Sequence, residues 1–156
     1  MVVDKLLAAA AITPGQLSPE TRSELDNWAR SSLEASDFPT APWHDAVINL
    51  CRAVESEMAS TLGTQPGLEF LAVAARLELG AKAKRLQHLD GEAVQRLRAS
   101  GVRAGMLKEL STLLGELASL RGPAAHASSR RITSEDAKRA ERISARVLKH
   151  LHSSGS

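Results

Sequence analysis

Apolar residues recur at helical spacing along most of the chain, and the pattern is clearest after Pro42. From there they step by three or four residues, a spacing that places them on one face of an α-helix. The stripe consists of Trp43, Val47, Leu50, Val54, Met58 and Leu62. We therefore predict an amphipathic helix that ends near Gly63.

Caps and breakers predict the neighbouring helices. Ser18 stands directly before a proline, which suits a helix start, and predicts a helix over residues 19–36. Apolar positions on two sides of the next periodic segment predict a central helix over 68–89. A short helix over about 92–99 is expected to break at a following serine–glycine pair.

A turn is expected between the last two helices. The leucine-rich helix before this turn is predicted to end at Leu120–Arg121, because Gly122–Pro123 stops or sharply bends a helix. Thr133 with Asp136 three residues later forms a capping box that opens the final helix. Residues 121–132 should therefore form a basic turn.

These elements predict an all-α fold. No segment alternates like a strand, and aromatic residues, which β-sheets favour, make up only 3% of the chain. We expect an up-and-down bundle of four main helices with an extra N-terminal helical segment. The predicted organisation is a helical extension over 1–41, the bundle over 42–152 and a disordered tail over 153–156.

Composition excludes several classes of function. The single cysteine, Cys51, allows no internal disulfide and no zinc site with paired cysteines, so we predict a core thiol and neither metal nor cofactor. The apolar start of the chain is too short to span a bilayer, which predicts a cytoplasmic protein without a membrane partner. His150 and His152 lie two apart on a helix and therefore make poor joint metal ligands.

Charge is distributed unevenly. Residues 1–78 carry 5 basic and 11 acidic side chains, whereas residues 79–156 carry 15 basic and 7 acidic ones. Such asymmetry indicates a polyanionic partner. Acidic and basic helices that pack beside each other in one bundle are the alternative interpretation.

Arg121 and His126 form the strongest candidate for chemistry. A guanidinium can hold a phosphate through two hydrogen bonds, and an imidazole can exchange a proton near neutral pH. A base that accepts the 2′-hydroxyl proton and a cation that stabilises the phosphorane suffice to cleave RNA without a metal. Cations that could bind RNA phosphates are Arg130, Arg131, Lys138, Arg139 and Arg142.

Three segments together resemble the HEPN superfamily of helical domains. They are the Trp-led helix that reads AVINLCRAVESEM over 46–58, the motif LRGPAAH over 120–126, and ITSEDA over 132–137. The resemblance covers about residues 42–151. It implies a homodimer in which the Arg-x4-His motifs of two chains form a metal-independent endoribonuclease site, with Arg121 and His126 as the catalytic residues.

The resemblance also implies a biological context. HEPN domains commonly act as toxins or effectors of bacterial toxin–antitoxin and anti-phage defence systems, so single-stranded RNA and an antitoxin or defence protein become the expected partners. Active members often carry a polar residue after the arginine, where this chain has Gly122. RNA cleavage and RNA binding without cleavage are therefore both expected alternatives.

Two other functions compete with a ribonuclease. One is a non-catalytic interaction module, for dimerisation or as an adaptor, with a degenerate HEPN site. The other is a regulatory domain whose basic second half binds a nucleotide or nucleic acid without cleaving it. For Arg121 the structural alternative is a helix C-terminal residue that interacts with the last carbonyl groups.

Overall fold

The described part of the chain is helical. A computed structural model describes residues 2–37, 43–72, 77–125 and 131–153, with the backbone alone at 123–125. These residues form seven α-helices and no β-strand, which confirms the all-α prediction. The helices are α1 (Val2–Ala10), α2 (Pro19–Ser36), α3 (His44–Thr61), α4 (Leu79–Gln87), α5 (Gly91–Ala99), α6 (Ala104–Ala125) and α7 (Ser134–Ser153).

Helix α3 lies at the centre of the fold, in contact with α2, α6 and α7. Its predicted apolar stripe is the reason, since Leu50, Val54 and Met58 are all at most 1% exposed. Helix α1 packs on α7, and the apolar residues of all seven helices belong to one hydrophobic cluster. The segment predicted as an N-terminal extension thus contributes α1 and α2 to the same core.

Local capping sets the helix boundaries where the sequence predicted them. The Ser18 hydroxyl accepts a hydrogen bond from the Thr21 backbone N–H at 3.1 Å, at the start of α2. At the start of α7, Asp136 accepts from the backbone N–H of Thr133 at 3.0 Å, and the Thr133 hydroxyl accepts from the Asp136 N–H at 3.2 Å. Both predicted caps are confirmed. Helix α7 continues through Ser153, and residues 154–156 of the predicted tail lie outside the described residues.

The continuous helix predicted over 68–89 is wrong. A 3₁₀ turn occupies Glu69–Leu71, and α4 begins only at Leu79. The turn buries Leu68 and Leu71 completely, so apolar residues close together in sequence reach the core without an α-helix. A Cβ at Gly63 would lie 3.3 Å from the Ala72 nitrogen, which shows how closely the chain folds back over the end of α3.

The predicted end of the leucine-rich helix is also wrong. Helix α6 continues past Gly122–Pro123 to Ala125, so the first five residues of the predicted basic turn are helical. Pro123 lies in the last turn, where its missing N–H removes one hydrogen bond without interrupting the body of the helix. Arg121 is consequently a helical residue. Helices α6 and α7 run antiparallel, because Glu109 near the start of α6 contacts Arg146 near the end of α7.

Candidate functional site

Arg121 lies near the C-terminal end of α6, just before its last turn, and points towards α3. Its side chain is 30% exposed, and its Nε lies 3.9 Å from Oε1 of Glu55. Both of these atoms are buried, and neither has a hydrogen-bond partner among the described residues. A distance of 3.9 Å is compatible with charge attraction but exceeds the length of an N–H···O hydrogen bond. The guanidinium is therefore attracted to Glu55 without being bonded to it.

A second cation approaches the other oxygen of Glu55. Nζ of Lys82, on α4, lies 3.9 Å from Oε2, and the Lys82 side chain is only 3% exposed. Glu55 itself is 19% exposed. One carboxylate thus stands between two cations from two different helices, and we call Glu55, Lys82 and Arg121 the α3–α4–α6 cluster. Its formal charge is positive, and Arg121 makes no ion pair other than that of its Nε with Glu55 among the described residues.

Cys51 lies one helical turn before Glu55 and is completely buried. Burial raises the pKa of the Cys51 thiol to about 12, while the charge of Arg121 lowers it and the charge of Glu55 raises it. A thiol this protonated is a poor nucleophile near neutral pH. The predicted role of Cys51 as a core thiol agrees with this geometry.

A row of cations follows the exposed face of α7. Four exposed basic residues recur at spacings of three and four, opposite the buried residues Ile143, Val147 and Leu151. They are Arg139, Arg142, Arg146 and Lys149. Arg146 donates to Glu109 at 2.8 Å, whereas the other three have no acidic partner among the described residues. We call Arg139, Arg142 and Lys149 the α7 cation face.

The structure places the predicted site residues unevenly. His126 and Arg130 lie outside the described residues. Arg131 is exposed just before α7, and Lys138 is exposed with Nζ 3.6 Å from the carboxylate of Glu135. Of the two predicted catalytic residues, the described part therefore contains only Arg121.

Sequence reasoning missed the two partners of Arg121, although one of them left a signal. Lys82 falls on the apolar stripe of α4, between Leu79 and Leu86, where a charged residue is exceptional. Glu55 left no such signal, because its contact with α6 and α4 depends on how three helices pack. A charged residue inside an apolar stripe was the feature to look for.

Another carboxylate on α3, that of Glu57, is buried in a different environment. It is 1% exposed, and its Oε1 accepts hydrogen bonds from the Thr21 hydroxyl at 2.8 Å and the Ser18 backbone N–H at 3.2 Å. Its Oε2 lies 2.5 Å from Nε2 of His152 on α7. Glu57 thereby connects α2, α3 and α7. His150, two residues earlier on α7, faces Glu109 instead at 3.2 Å, so the two histidines point to different partners as their spacing predicted.

Among the described residues, no group of three or more His, Cys, Asp or Glu side chains could hold a metal ion. In the same part of the chain, no helix has the length and apolar character needed to cross a membrane. Comparisons with protein-family models, curated proteins and solved structures returned no match.

Proposed function

We propose that this chain is a HEPN-like domain that binds single-stranded RNA and cleaves it without a metal ion. The observation that carries the proposal is Arg121, a partly exposed guanidinium whose only carboxylate neighbour among the described residues is too distant for a hydrogen bond. A guanidinium in that state keeps its fork of donors for a phosphate, the anion whose geometry it matches best. The motif resemblance supplies the reaction type.

In the proposed reaction, His126 accepts the proton of the RNA 2′-hydroxyl, and the 2′-oxygen attacks the adjacent phosphorus. The P–O5′ bond breaks, the departing 5′-oxygen takes a proton from water, and the products carry a 2′,3′-cyclic phosphate and a 5′-hydroxyl. Arg121 stabilises the negative charge that builds on the phosphorane oxygens. In the proposed homodimer, the motifs of two chains share one cleft, and a toxin or anti-phage effector with an antitoxin or other defence protein as partner is the biological role we propose.

The α7 cation face supports RNA as the partner. Cations without acidic partners can each neutralise a phosphate and release its condensed counterions. Arg139, Arg142 and Lys149 meet that condition within the described residues, and they line one helix face as the phosphates of a strand would require. Part of the positive charge of the second half of the sequence is thus exposed on α7 without an acidic partner among the described residues.

The proposal is tested with a labelled single-stranded RNA in EDTA. Wild-type protein should produce fragments with 2′,3′-cyclic phosphate ends, whereas Arg121→Gln and His126→Ala should each reduce the cleavage rate at least about a hundredfold. Arg98→Gln is the matched control, since it removes an exposed arginine of α5 and should cleave like wild type. Cleavage at the wild-type rate by the Arg121 and His126 variants would overturn the assignment of the site.

Binding of the same RNA tests the α7 cation face. Replacing Arg139, Arg142 and Lys149 with glutamine should reduce the slope of log K against log salt by about 2, at roughly 0.7 per phosphate contact for a single strand. Replacing Arg52, Arg98 and Arg103 removes the same charge from exposed positions elsewhere and should leave the slope nearly unchanged. Absence of RNA binding by folded wild-type protein would overturn the proposed function.

A second candidate function, a non-catalytic interaction module, has its own observation. A groove of about 390 Å³ lies between α1, α2 and α7, lined by Trp28, Leu33, Trp43 and Ala137 among others. Leu33 is 57% exposed, which makes it the large apolar side chain with the greatest exposure in the described part. The RNA experiments separate the two candidates, because an interaction module leaves RNA intact and unbound.

A further inference from the structure

Lys82 occupies a position that ordinarily belongs to an apolar residue. It lies on the stripe of α4 that also buries Leu79, Ala83 and Leu86, and the whole residue is 2% exposed. Burying an ammonium group is costly unless a partner compensates its charge. The ion-pair partner of Lys82 among the described residues is Glu55. The reason for Lys82 must therefore be sought in what it does to Glu55.

Glu55 on its own would interfere with the proposed role of Arg121. A carboxylate beside a guanidinium attracts the same positive charge that a phosphate would use, and it repels the phosphate itself. Lys82 lies against the other carboxylate oxygen at the same 3.9 Å distance as Arg121. With both cations present, one negative charge is shared between two positive ones, and the cluster keeps a net positive charge.

The N···O distances distinguish this arrangement from an ordinary stabilising ion pair. A buried salt bridge stabilises a fold when direct hydrogen bonds compensate the cost of desolvation. Here neither ion pair is short enough for one, and Nε of Arg121 and Oε1 of Glu55 stay without hydrogen-bond partners among the described residues. The cluster therefore holds Arg121 in place by charge while it leaves the donors of the guanidinium unused.

We propose that Lys82 is a positioning residue of the Arg121 site: it neutralises Glu55, so that Arg121 is held towards α3 yet keeps its charge for an RNA phosphate. The proposal rests on the proposed function. It assigns Lys82 no contact with RNA, since the side chain is buried, and Glu55 becomes the group through which Lys82 acts.

A double-mutant cycle tests this role. Lys82→Met should raise the Kd for single-stranded RNA about tenfold, within the coupling range of residues that share an ion-pair network. Glu55→Gln should bind RNA at least as tightly as wild type. In the Glu55→Gln background, Lys82→Met should change the Kd by less than about twofold. Because removing both members of a buried ion pair also restores stability, the Kd values are compared only where urea denaturation shows all four proteins to be fully folded, so that a change in Kd reports on the site and not on unfolding.

Two outcomes of the cycle would overturn the proposal. One is a double variant that binds RNA as weakly as Lys82→Met does. The other is unchanged affinity in Lys82→Met itself. If that single variant fails to fold, the decision passes to the comparison of Glu55→Gln with the double variant, in which a tenfold loss of affinity would contradict the role given to Lys82.

A measurement without RNA separates this inference from the proposed function. Inorganic phosphate is titrated into labelled protein, and the NMR signal of the Arg121 Nε–H is followed. Phosphate should shift the signal in wild type and, over the same concentration range, in the double variant. In Lys82→Met, about tenfold more phosphate should be needed for the same shift. That pattern in a protein that binds no RNA would refute the proposed function and support the inference, whereas phosphate binding that is absent or independent of Lys82 would refute the inference.

Discussion

Two glutamates, Glu55 and Glu57, stand two residues apart on α3 and have opposite surroundings. Because residues at this spacing point to different sides of a helix, Glu57 faces α2 and α7 while Glu55 faces α4 and α6. Both oxygens of Glu57 are engaged by close donors, at 2.5 to 2.8 Å for the nearest one on each side. Glu55 has two cations at 3.9 Å and an oxygen without a hydrogen bond.

We interpret the difference as one between a structural carboxylate and a carboxylate of the proposed Arg121 site. A fully satisfied buried carboxylate ties elements together, because every donor around it would be left unpaired by its loss. A carboxylate that attracts its partners without bonding them contributes little order and leaves their donors free. We therefore interpret Glu57 as the connection that holds α2, α3 and α7 together, and Glu55 as part of the Arg121 site.

Removing each glutamate in turn is the most direct test of whether the two contribute differently to stability. Glu57→Ala should lower the free energy of unfolding by about 4 kcal/mol, because it leaves His152 and the buried Thr21 hydroxyl without their acceptor. Glu55→Ala should lower it by about 2 kcal/mol, since it leaves one buried ammonium, that of Lys82, unpaired. Urea denaturation of both variants measures the two values.

Equal losses of stability for the two variants would remove the distinction between the glutamates. A larger loss for Glu55→Ala would reverse it and make the α3–α4–α6 cluster the main structural connection. The matched control is Glu116→Ala on α6, where an exposed glutamate is removed, and its free energy of unfolding should stay within about 0.5 kcal/mol of wild type.

The sequence predicted the helices around the two glutamates better than the contacts that the glutamates make. Helix α3 and the caps at Ser18 and Thr133 followed from local rules, because amphipathic spacing and side-chain caps act within a few residues. The Glu55 contacts did not follow, since α4 and α6 approach α3 only through tertiary packing. Local chemistry thus predicted where the helices begin and end, and long-range packing determined which charges meet.

The two wrong helix predictions have physical causes of the same kind. Periodicity reports which residues are apolar but does not distinguish a helix from a 3₁₀ turn that buries Leu68 and Leu71. The proline rule takes no account of position, and Pro123 lies where α6 is about to end. The second error matters for the site, because it moves Arg121 from the predicted end of a helix to a position inside α6, where its side chain faces α3.

The reactivity of the Cys51 thiol reports on the surroundings of Glu55. With burial raising its pKa to about 12, only about one thiol in ten thousand is ionised at pH 8, so the native protein should react negligibly with a disulfide reagent such as DTNB. Full reaction should follow denaturation. Because the charge of Arg121 lowers this pKa, Arg121→Gln should make the native thiol less reactive still, whereas Glu55→Gln should act in the opposite direction.

Rapid reaction of Cys51 in the folded protein would show that the α3 surface beneath Glu55 is open to solvent. It would then contradict the burial on which the α3–α4–α6 cluster depends. Reactivity is followed at 412 nm, with a Cys51→Ala variant as the blank.

The smallest expected effect concerns a third glutamate, Glu109. This residue lies on the surface, whereas Glu57 is buried. Both are neighbours of a histidine on α7, His150 for Glu109 and His152 for Glu57. The hydrogen bond with His150 and the charge of that residue, followed by the Arg146 guanidinium, lower the pKa of the Glu109 carboxyl below its ordinary value. A lowered pKa in the folded state means that the ionised carboxylate stabilises the fold above the ordinary glutamate pKa of about 4.3, and that this contribution disappears as the pH falls through the lowered value.

Glu109→Gln should therefore lower the melting temperature slightly at pH 6, and the difference from wild type should shrink towards zero at pH 2. Glu116→Gln, an exposed glutamate of the same helix, should show no such dependence on pH. A difference for Glu109→Gln that is as large at pH 2 as at pH 6 would mean that the side chain acts by packing and not by charge. The effect is small because solvent screens an exposed ion pair, whereas the bonds of Glu57 are shielded from it. Two glutamates that each pair with a histidine of α7 thus differ in their consequences, because Glu57 is buried and Glu109 is exposed.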